Sequence, residues 1–317
     1  MKTHLEQARS LHVELKKDNT NVEAMSRLVE FMAEYEGDDK IVLSTDLENE
    51  IQKLEDEERY YTNVPELDNI LDGFRSNQVI VISAPPKAGK TQFCVHIAKN
   101  MPNPTMFLFE ESPAEVLYKY KKKGLPLPRF YTHNDLVEDN IDGLYRKMIE
   151  AWAKYNSRIF FIDHLHYLLE DNRDDTSTKI KKVMQELKNF AKRHGFTIFL
   201  IAHMTKGGFI EPPGVEGIRD SSFIPQYADT TIILWRETYN SGAKEHKNIW
   251  NYTNNLLINI ALNRKINFKT DQNTGLVDLV FNTDTWSYDE SNWYTEWIQE
   301  GKKEKEAEEN IYKKIST

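Results

Sequence analysis

The chain has 317 residues, 39% apolar and 29% charged, an ordinary globular composition with room for one large α/β domain and a small appendage. Against 41 basic side chains stand 50 acidic ones, a net charge of −9, which argues against wrapping nucleic acid over the whole surface and leaves only a local contact. A single cysteine, Cys94, excludes an internal disulfide and a multi-cysteine zinc site and points to a reducing cytoplasm, and no apolar run reaches the roughly 18 residues of a membrane span.

Residues 1–36 read as a helical hairpin. Thr3 with Glu6 and Thr20 with Glu23 are capping-box pairs. Leu5, Ala8, Leu11 and Leu15 form one apolar stripe, and Val22, Met25, Val29 and Met32 another, at helical spacing. Residues 37–61 are strongly acidic. Thr45 with Glu48 makes a third capping box, which predicts a charged linker helix running to Tyr61 with a thin apolar side of Leu47, Ile51 and Leu54. Its acids read as a solvated face.

From Val64 onward, short runs of Val, Ile and Phe alternate with helical stretches. This is the texture of an α/β chain with a mostly parallel, twisted sheet, here over residues 62–300. Seven strands are predicted: 78–84, 105–111, 158–163, 197–203, 230–236, 256–264 and 276–282. The first is followed by a helix, "TQFCVHIAKNM". Residues 301–317 form a Lys- and Glu-rich tail.

Between the first strand and its helix lies "SAPPKAGKT", Ser83 to Thr91. It ends like the phosphate-binding pattern G-x-x-x-x-G-K-[ST], but Ala84 stands at the first glycine. A strand, a glycine-containing turn and a helix start make an anion site from backbone N–H groups and the helix terminus. Ala84, Pro85, Pro86, Lys87, Ala88, Gly89, Lys90, Thr91 and Gln92 are therefore the candidate cradle for ATP or another NTP. Gly89 allows close backbone approach, Lys90 carries charge to the outer phosphates, and the Thr91 hydroxyl holds Mg²⁺. Asp163, closing "RIFFID", is the second candidate Mg²⁺ ligand. Glu110 and Glu111, closing "TMFLFEE", offer an acid to polarise water. His164 and His166 flank Asp163 and read as packing residues; Lys119 and Lys121–Lys123 read as a solvated helix face.

At these residues the chain resembles the ATPase domain of the DnaB-type hexameric replicative helicases, a RecA-like P-loop group with phage and mitochondrial members. Ala84, Pro86, Gly89, Lys90 and Thr91 match its A-x-P-x-x-G-K-T, so the opening alanine is a subfamily mark. "TNVPELDNILDGF" resembles the lead-in to the first strand, "FLFEES" the family's F-S-L-E-M-S, and "FIDHLHYL" its I-D-Y-L-Q-L. "LKNFAKRHGFTIFLIAHMTK" and "IRDSSFIPQYADTTIILWRE" follow in the family's order. The resemblance spans about residues 60 to 290. It implies that Glu110 is the catalytic glutamate, Asp163 the Walker B acid, His203 the γ-phosphate sensor and Arg264 the arginine reaching into a neighbouring subunit. It also implies that Arg236 and Tyr288 sandwich the base, and that DNA meets the loops around Arg173 and around Lys206, Gly207 and Gly208. Leu262 stands where the family carries lysine, with Lys265 a substitute, and Pro225 replaces a glutamate.

The resemblance thus implies a ring-forming ATPase, a hexamer, that moves on single-stranded DNA, with primase, a loader or other replication proteins as partners, in a cytoplasm that is a cell's own or a phage host's. Two rivals stay open. One is a RecA-like ATPase that remodels or loads other proteins without unwinding DNA, which the acidity favours. The other is a nucleotide-gated assembly module that does not hydrolyse.

Overall fold

In the computed structural model the strand Gln78–Ala84 is buried along its whole length, and its alternate residues feed two separate cores. Ile80 and Ile82 join Phe161, Phe199 and Ile201 on one face. Val79 and Val81 join Phe160, Ile162, Ile198 and Leu200 on the other. Apolar residues on both sides of the pleat are what a strand sandwiched between helical layers requires. The structure describes residues 10, 13, 14, 16, 17, 27, 43–48, 51, 52, 57–133, 141–169, 175–204, 212–218, 223–240, 250–264 and 275–299.

The elements in chain order are β1 (Arg59–Tyr60), α1 (Pro65–Leu71), β2 (Phe74–Arg75), β3 (Gln78–Ala84), α2 (Lys90–Ala98), β4 (Thr105–Leu108) and α3 (Pro113–Lys122). Then come β5 (Tyr131–Thr132), α4 (Ile141–Tyr155), β6 (Ile159–Asp163), α5 (Thr176–His194), β7 (Thr197–His203) and α6 (Phe223–Tyr227). The chain continues through β8 (Thr230–Asn240), β9 (Trp250–Asn263), β10 (Leu276–Asn282) and β11 (Ser287–Glu290). Among the described residues, β1 pairs with β2, and the remaining strands form one sheet in the order β11-β10-β9-β8-β3-β7-β6-β4-β5. From β8 to β5 the strands run parallel; β9, β10 and β11 close the other edge antiparallel. This is the expected α/β class with a mostly parallel sheet.

Asp229 ties the middle of the sheet together. Its carboxylate accepts from the Val79 N–H at 2.8 Å and pairs with Lys188 of α5, while its backbone N–H donates to the Val79 carbonyl at 2.8 Å and its carbonyl accepts from the Arg264 N–H at 2.8 Å. One residue thus joins β3, the start of β8, the end of β9 and a covering helix.

Several expectations are corrected. Four strands were not foreseen: β1, β2, β5 and β11 are too short to carry an apolar run. The second predicted strand stops at Leu108, so Glu110 and Glu111 lie in the bend beyond it. β8 and β9 form a longer hairpin than their apolar cores suggested, since polar residues continue the pairing as far as Asn240 and Trp250.

The chain divides into two compact units, Met1–Glu57 and Glu58–Thr317. In the first, a 3₁₀ turn spans Ser44–Leu47 after Leu43, with no side-chain cap; Thr45 lies inside it and is not the N-cap expected. Leu47 and Ile51 are 40% and 56% exposed. Leu54 and nearly all of the expected hairpin lie outside the described residues, as does the 301–317 tail. The linker helix does not reach Tyr61, because Arg59 and Tyr60 pair with Arg75 and Phe74.

Candidate active site

The parallel strands end side by side, and their C-terminal tips carry the site, as open α/β sheets commonly arrange it. Ala84 pairs with His203, and Leu108 with Asp163. Ala84 is wholly buried as the last residue of β3. An extended strand residue needs no glycine, which explains the alanine physically. The left-handed turns fall later, at Lys87 (φ 64°) and Gly89 (φ 92°). At Gly89 a side chain would be strained. The Ala88 N–H closes the loop onto the Pro85 carbonyl at 3.2 Å, and the Phe93 N–H donates to Gly89 at 2.9 Å to begin α2. The N–H groups of Lys90, Thr91 and Gln92, in that first turn, have no intrahelical acceptor and make the anion cradle.

Lys90 is buried. Burial pulls its ammonium down from the usual lysine range, while Asp163 and Glu110 push it back up. The Thr91 hydroxyl donates to Asp163 Oδ2 at 2.6 Å. The other oxygen, Oδ1, is buried without a hydrogen bond. Burial raises the Asp163 carboxyl to about 6, against the Thr91 hydrogen bond that lowers it. A buried carboxylate oxygen lacking a donor, next to a hydroxyl at a phosphate loop, fits an oxygen-preferring cation such as Mg²⁺.

A cleft of 520 Å³ opens over the loop, lined among others by Lys87, Lys90, Thr91, Glu110, Glu111 and Trp286. The two glutamates diverge. The Phe109 N–H donates to the Asp163 carbonyl at 2.7 Å, which holds the bend against β6. The capping box of Ser112 and Glu115 then starts α3; it escaped the sequence reading although its spacing is regular. Glu111 turns to an ion pair with Lys119 of α3, so that lysine is not merely solvated. Glu110 stays 54% exposed, with Oε2 at 3.8 Å from both His203 Nε2 and His164 Nδ1.

His164 is therefore more than the packing residue expected. Its ring lies 4.3 Å from that of His203, centroid to centroid. Burial pushes its imidazole down to about 3, helped by His203, His166 and Lys90. His203 sits at the tip of β7, and Met204 bridges to Ile218, closing the base of the following loop.

The two residues expected to sandwich the base both pack within the protein. The Arg236 guanidinium lies over Tyr252 and Phe281 and donates to the Thr253 carbonyl. Tyr288 packs edge-on against Phe93 and His96 behind the phosphate loop. Neither is among the cleft's lining residues. Trp286 is, packed edge-on against Tyr120 at 4.8 Å; Tyr120 in turn receives a hydrogen bond from Gln92 at 2.8 Å. The unforeseen β11 places Tyr288 opposite Phe281, and Trp286 lies in the left-handed turn before it, φ 52°. Tyr252, missed in the sequence, donates to the Pro86 carbonyl at 2.6 Å.

Arg264 follows β9, exposed, with its guanidinium on the carbonyls of Gln226 (2.7 Å), Ala228 (2.9 Å) and Pro225 (3.4 Å). Arg173, Lys206, Gly207, Gly208 and Lys265 lie outside the described residues.

Residues 60–120 and 131–290 match the family model of the DnaB-like helicase C-terminal domain. The chain is 25% identical over 241 residues to the replicative DNA helicase DnaC of Bacillus subtilis (strain 168), covering 63% of this chain and 53% of that protein. It is 24% identical over 219 residues to a probable replicative DNA helicase of Trieres chinensis, covering 57% and 48%. It spans about half the length of these curated relatives. Among solved structures, one ATPase domain superposes with a TM-score of 0.65 at 18% identity, over 80% of this chain and all of that one. A DnaB-like replicative helicase, described with its interactions with primase, superposes at 0.63 and 19% identity, over 90% and 75%. Both share the RecA-like fold.

Proposed function

Because the chain belongs to the DnaB-like helicase C-terminal domain family, we propose that it is the motor of a ring-forming ATPase of the replicative DnaB type. It hydrolyses ATP between neighbouring subunits, in a hexameric ring, to move on single-stranded DNA. The observation that supports this reading is that Thr91 and Glu110, which line the cleft, stand against Asp163 and His203 at the tips of the neighbouring strands.

The chemistry asks for positioning and charge, not for a covalent intermediate. The N–H groups opening α2 and the Lys90 ammonium hold the β- and γ-phosphates. Thr91 and Asp163 would hold Mg²⁺, which would supply charge neutralisation at the phosphates. Glu110, mobile enough by its exposure, takes a proton from the attacking water as the bond to the γ-phosphate breaks. Trp286 offers the aromatic wall for the nucleotide. Arg264, exposed at the end of β9, serves the γ-phosphate of the adjacent subunit. His203 reports the occupancy of the cleft to the loop closed by Met204 and Ile218, and DNA meets that loop. Primase, a loader or other replication proteins are the proposed partners.

The test is ATP turnover with and without single-stranded DNA, with the oligomeric state measured by light scattering in the same samples. Stimulation by DNA in a ring is expected; DNA-independent turnover by a monomer sinks the reading. The net charge of −9 favours a second reading, an ATPase that remodels other proteins. Failure to unwind forked DNA, with turnover intact, selects it.

A further inference from the structure

We propose that Glu110, His164 and His203 form a site for a zinc-class transition-metal ion, separate from the Mg²⁺ pair, whose occupancy arrests ATP hydrolysis. The arrest rests on the reading of Glu110 as the proton acceptor; the metal site rests on geometry alone.

The three side chains come from three places, the bend after β4, the residue after β6 and the tip of β7. Each offers one ligand atom, and these atoms lie within 4.8 Å of one another. Glu110 Oε2 stands 3.8 Å from both imidazoles. In a tetrahedral site with bonds of about 2.0–2.1 Å, ligand atoms sit roughly 3.3 Å apart. Glu110, exposed on a bend, can close its own gaps of about half an ångström, and a small rotation of the partly exposed His203 ring brings the two imidazoles together. His164 Nδ1 is buried without a hydrogen bond, and Glu110 is the carboxylate nearest to it in this group. Two imidazoles and one carboxylate leave one position open for water, the donor set of a three-ligand zinc site.

The donors separate the two sites by chemistry. Thr91 and Asp163 present oxygen only, which suits Mg²⁺. Imidazole ligands prefer zinc, copper, nickel or cobalt, and discriminate against Mg²⁺. Local charge permits a cation, since the carboxylates of Glu110 and Asp163 together outweigh the Lys90 ammonium. A metal on Glu110 removes the lone pair that accepts the proton of the attacking water, and pins His203 away from the γ-phosphate. A rise in free zinc would thus stall the motor with nucleotide still bound.

The experiment uses the full chain in excess Mg²⁺, with Co²⁺ as the probe for its visible absorption and Zn²⁺ as the competitor. One equivalent of Co²⁺ should give a ligand-field band, and Zn²⁺ should displace it. Binding should fall by at least about tenfold in His164→Ala and in His164→Phe, because even supporting groups around a metal carry factors of roughly 10–100. His164→Phe keeps a ring beside Tyr167 and separates loss of a ligand from loss of fold. In the same samples Zn²⁺ should slow ATP turnover by roughly tenfold or more in the parent chain, and less in either variant. A Co²⁺ band that neither variant weakens overturns the site. A site that fills without slowing turnover overturns the arrest. Glu110→Gln, assayed without Zn²⁺, then tells whether the base assignment failed with it.

Discussion

Ala84 and His203 are partners on the last rung of the parallel β3–β7 ladder. The residue that opens the phosphate loop and the imidazole that faces Glu110 are therefore held at one height by the backbone. The next residue, Met204, bridges to Ile218 across the base of a loop. On the proposed reading, a change at the phosphates would reach that loop through this strand tip. His203→Ala should keep nucleotide affinity and lose the stimulation of turnover by single-stranded DNA. The measurement is the ratio of turnover with and without DNA. A ratio equal to that of the parent chain removes His203 from the coupling.

The divergence of the two glutamates gives a discriminating pair of variants. Glu110→Gln should lower turnover by ~10²–10⁴ while ATP still binds, the usual cost of losing a general base. Glu111→Gln breaks only a partly exposed pair with Lys119 and should stay within about tenfold of the parent, since such pairs contribute ~1 kcal/mol or less. If Glu111→Gln is the inactive protein, the assignment is wrong by one residue.

Trp286 lines the cleft and Tyr288 does not. Trp286→Ala should weaken nucleotide binding by roughly tenfold, in line with about 0.5–1.5 kcal/mol for an aromatic contact plus its buried area. Tyr288→Phe keeps the ring that packs on Phe93 and His96 and should bind like the parent chain. Titration with a fluorescent nucleotide decides between them; the opposite order of effects would return the base to Tyr288.

Arg264 tests the subunit boundary. Arg264→Ala should still form rings but lose on the order of 10³ in turnover, as removal of an arginine finger does. Mixing it with Lys90→Ala protein should restore part of the activity, because mixed interfaces pair an intact loop with an intact arginine. Absence of rescue at every mixing ratio shows that Arg264 acts within its own chain, where it already holds the carbonyls of Gln226 and Ala228.

The Lys188–Asp229 pair is nearly enclosed, its side chains 17% and 9% exposed. Asp229→Ala strips the lysine of this carboxylate and the Val79 N–H of its acceptor. Breaking a buried pair from one side costs about 3–5 kcal/mol, or roughly 6–20 °C in melting temperature for a domain of this size. A shift within about 2 °C of the parent in a calorimetric scan contradicts the role given to Asp229.

The amino-acid sequence by itself determined what depends on neighbours along the chain. Apolar runs mark β3, β6 and β7, because a strand covered on both faces must be apolar at every position. Gly89, Lys90 and Thr91 announce the phosphate loop, because a left-handed turn, a charge and a hydroxyl must fall in that order at a helix start. Even Ala84 was legible as a family mark, though its physical reason, a buried strand terminus, came only with the ladder. The tertiary structure decided what depends on strand order. Residues 110, 164 and 203 meet because β4, β6 and β7 are adjacent in the sheet and end level, and no local pattern encodes that adjacency. It gave Glu111 an ion pair with Lys119 and left Glu110, the glutamate the resemblance pointed to, facing His203. It placed Trp286 at the cleft, in the turn before β11, a strand whose four residues are too few to carry an apolar rhythm of their own.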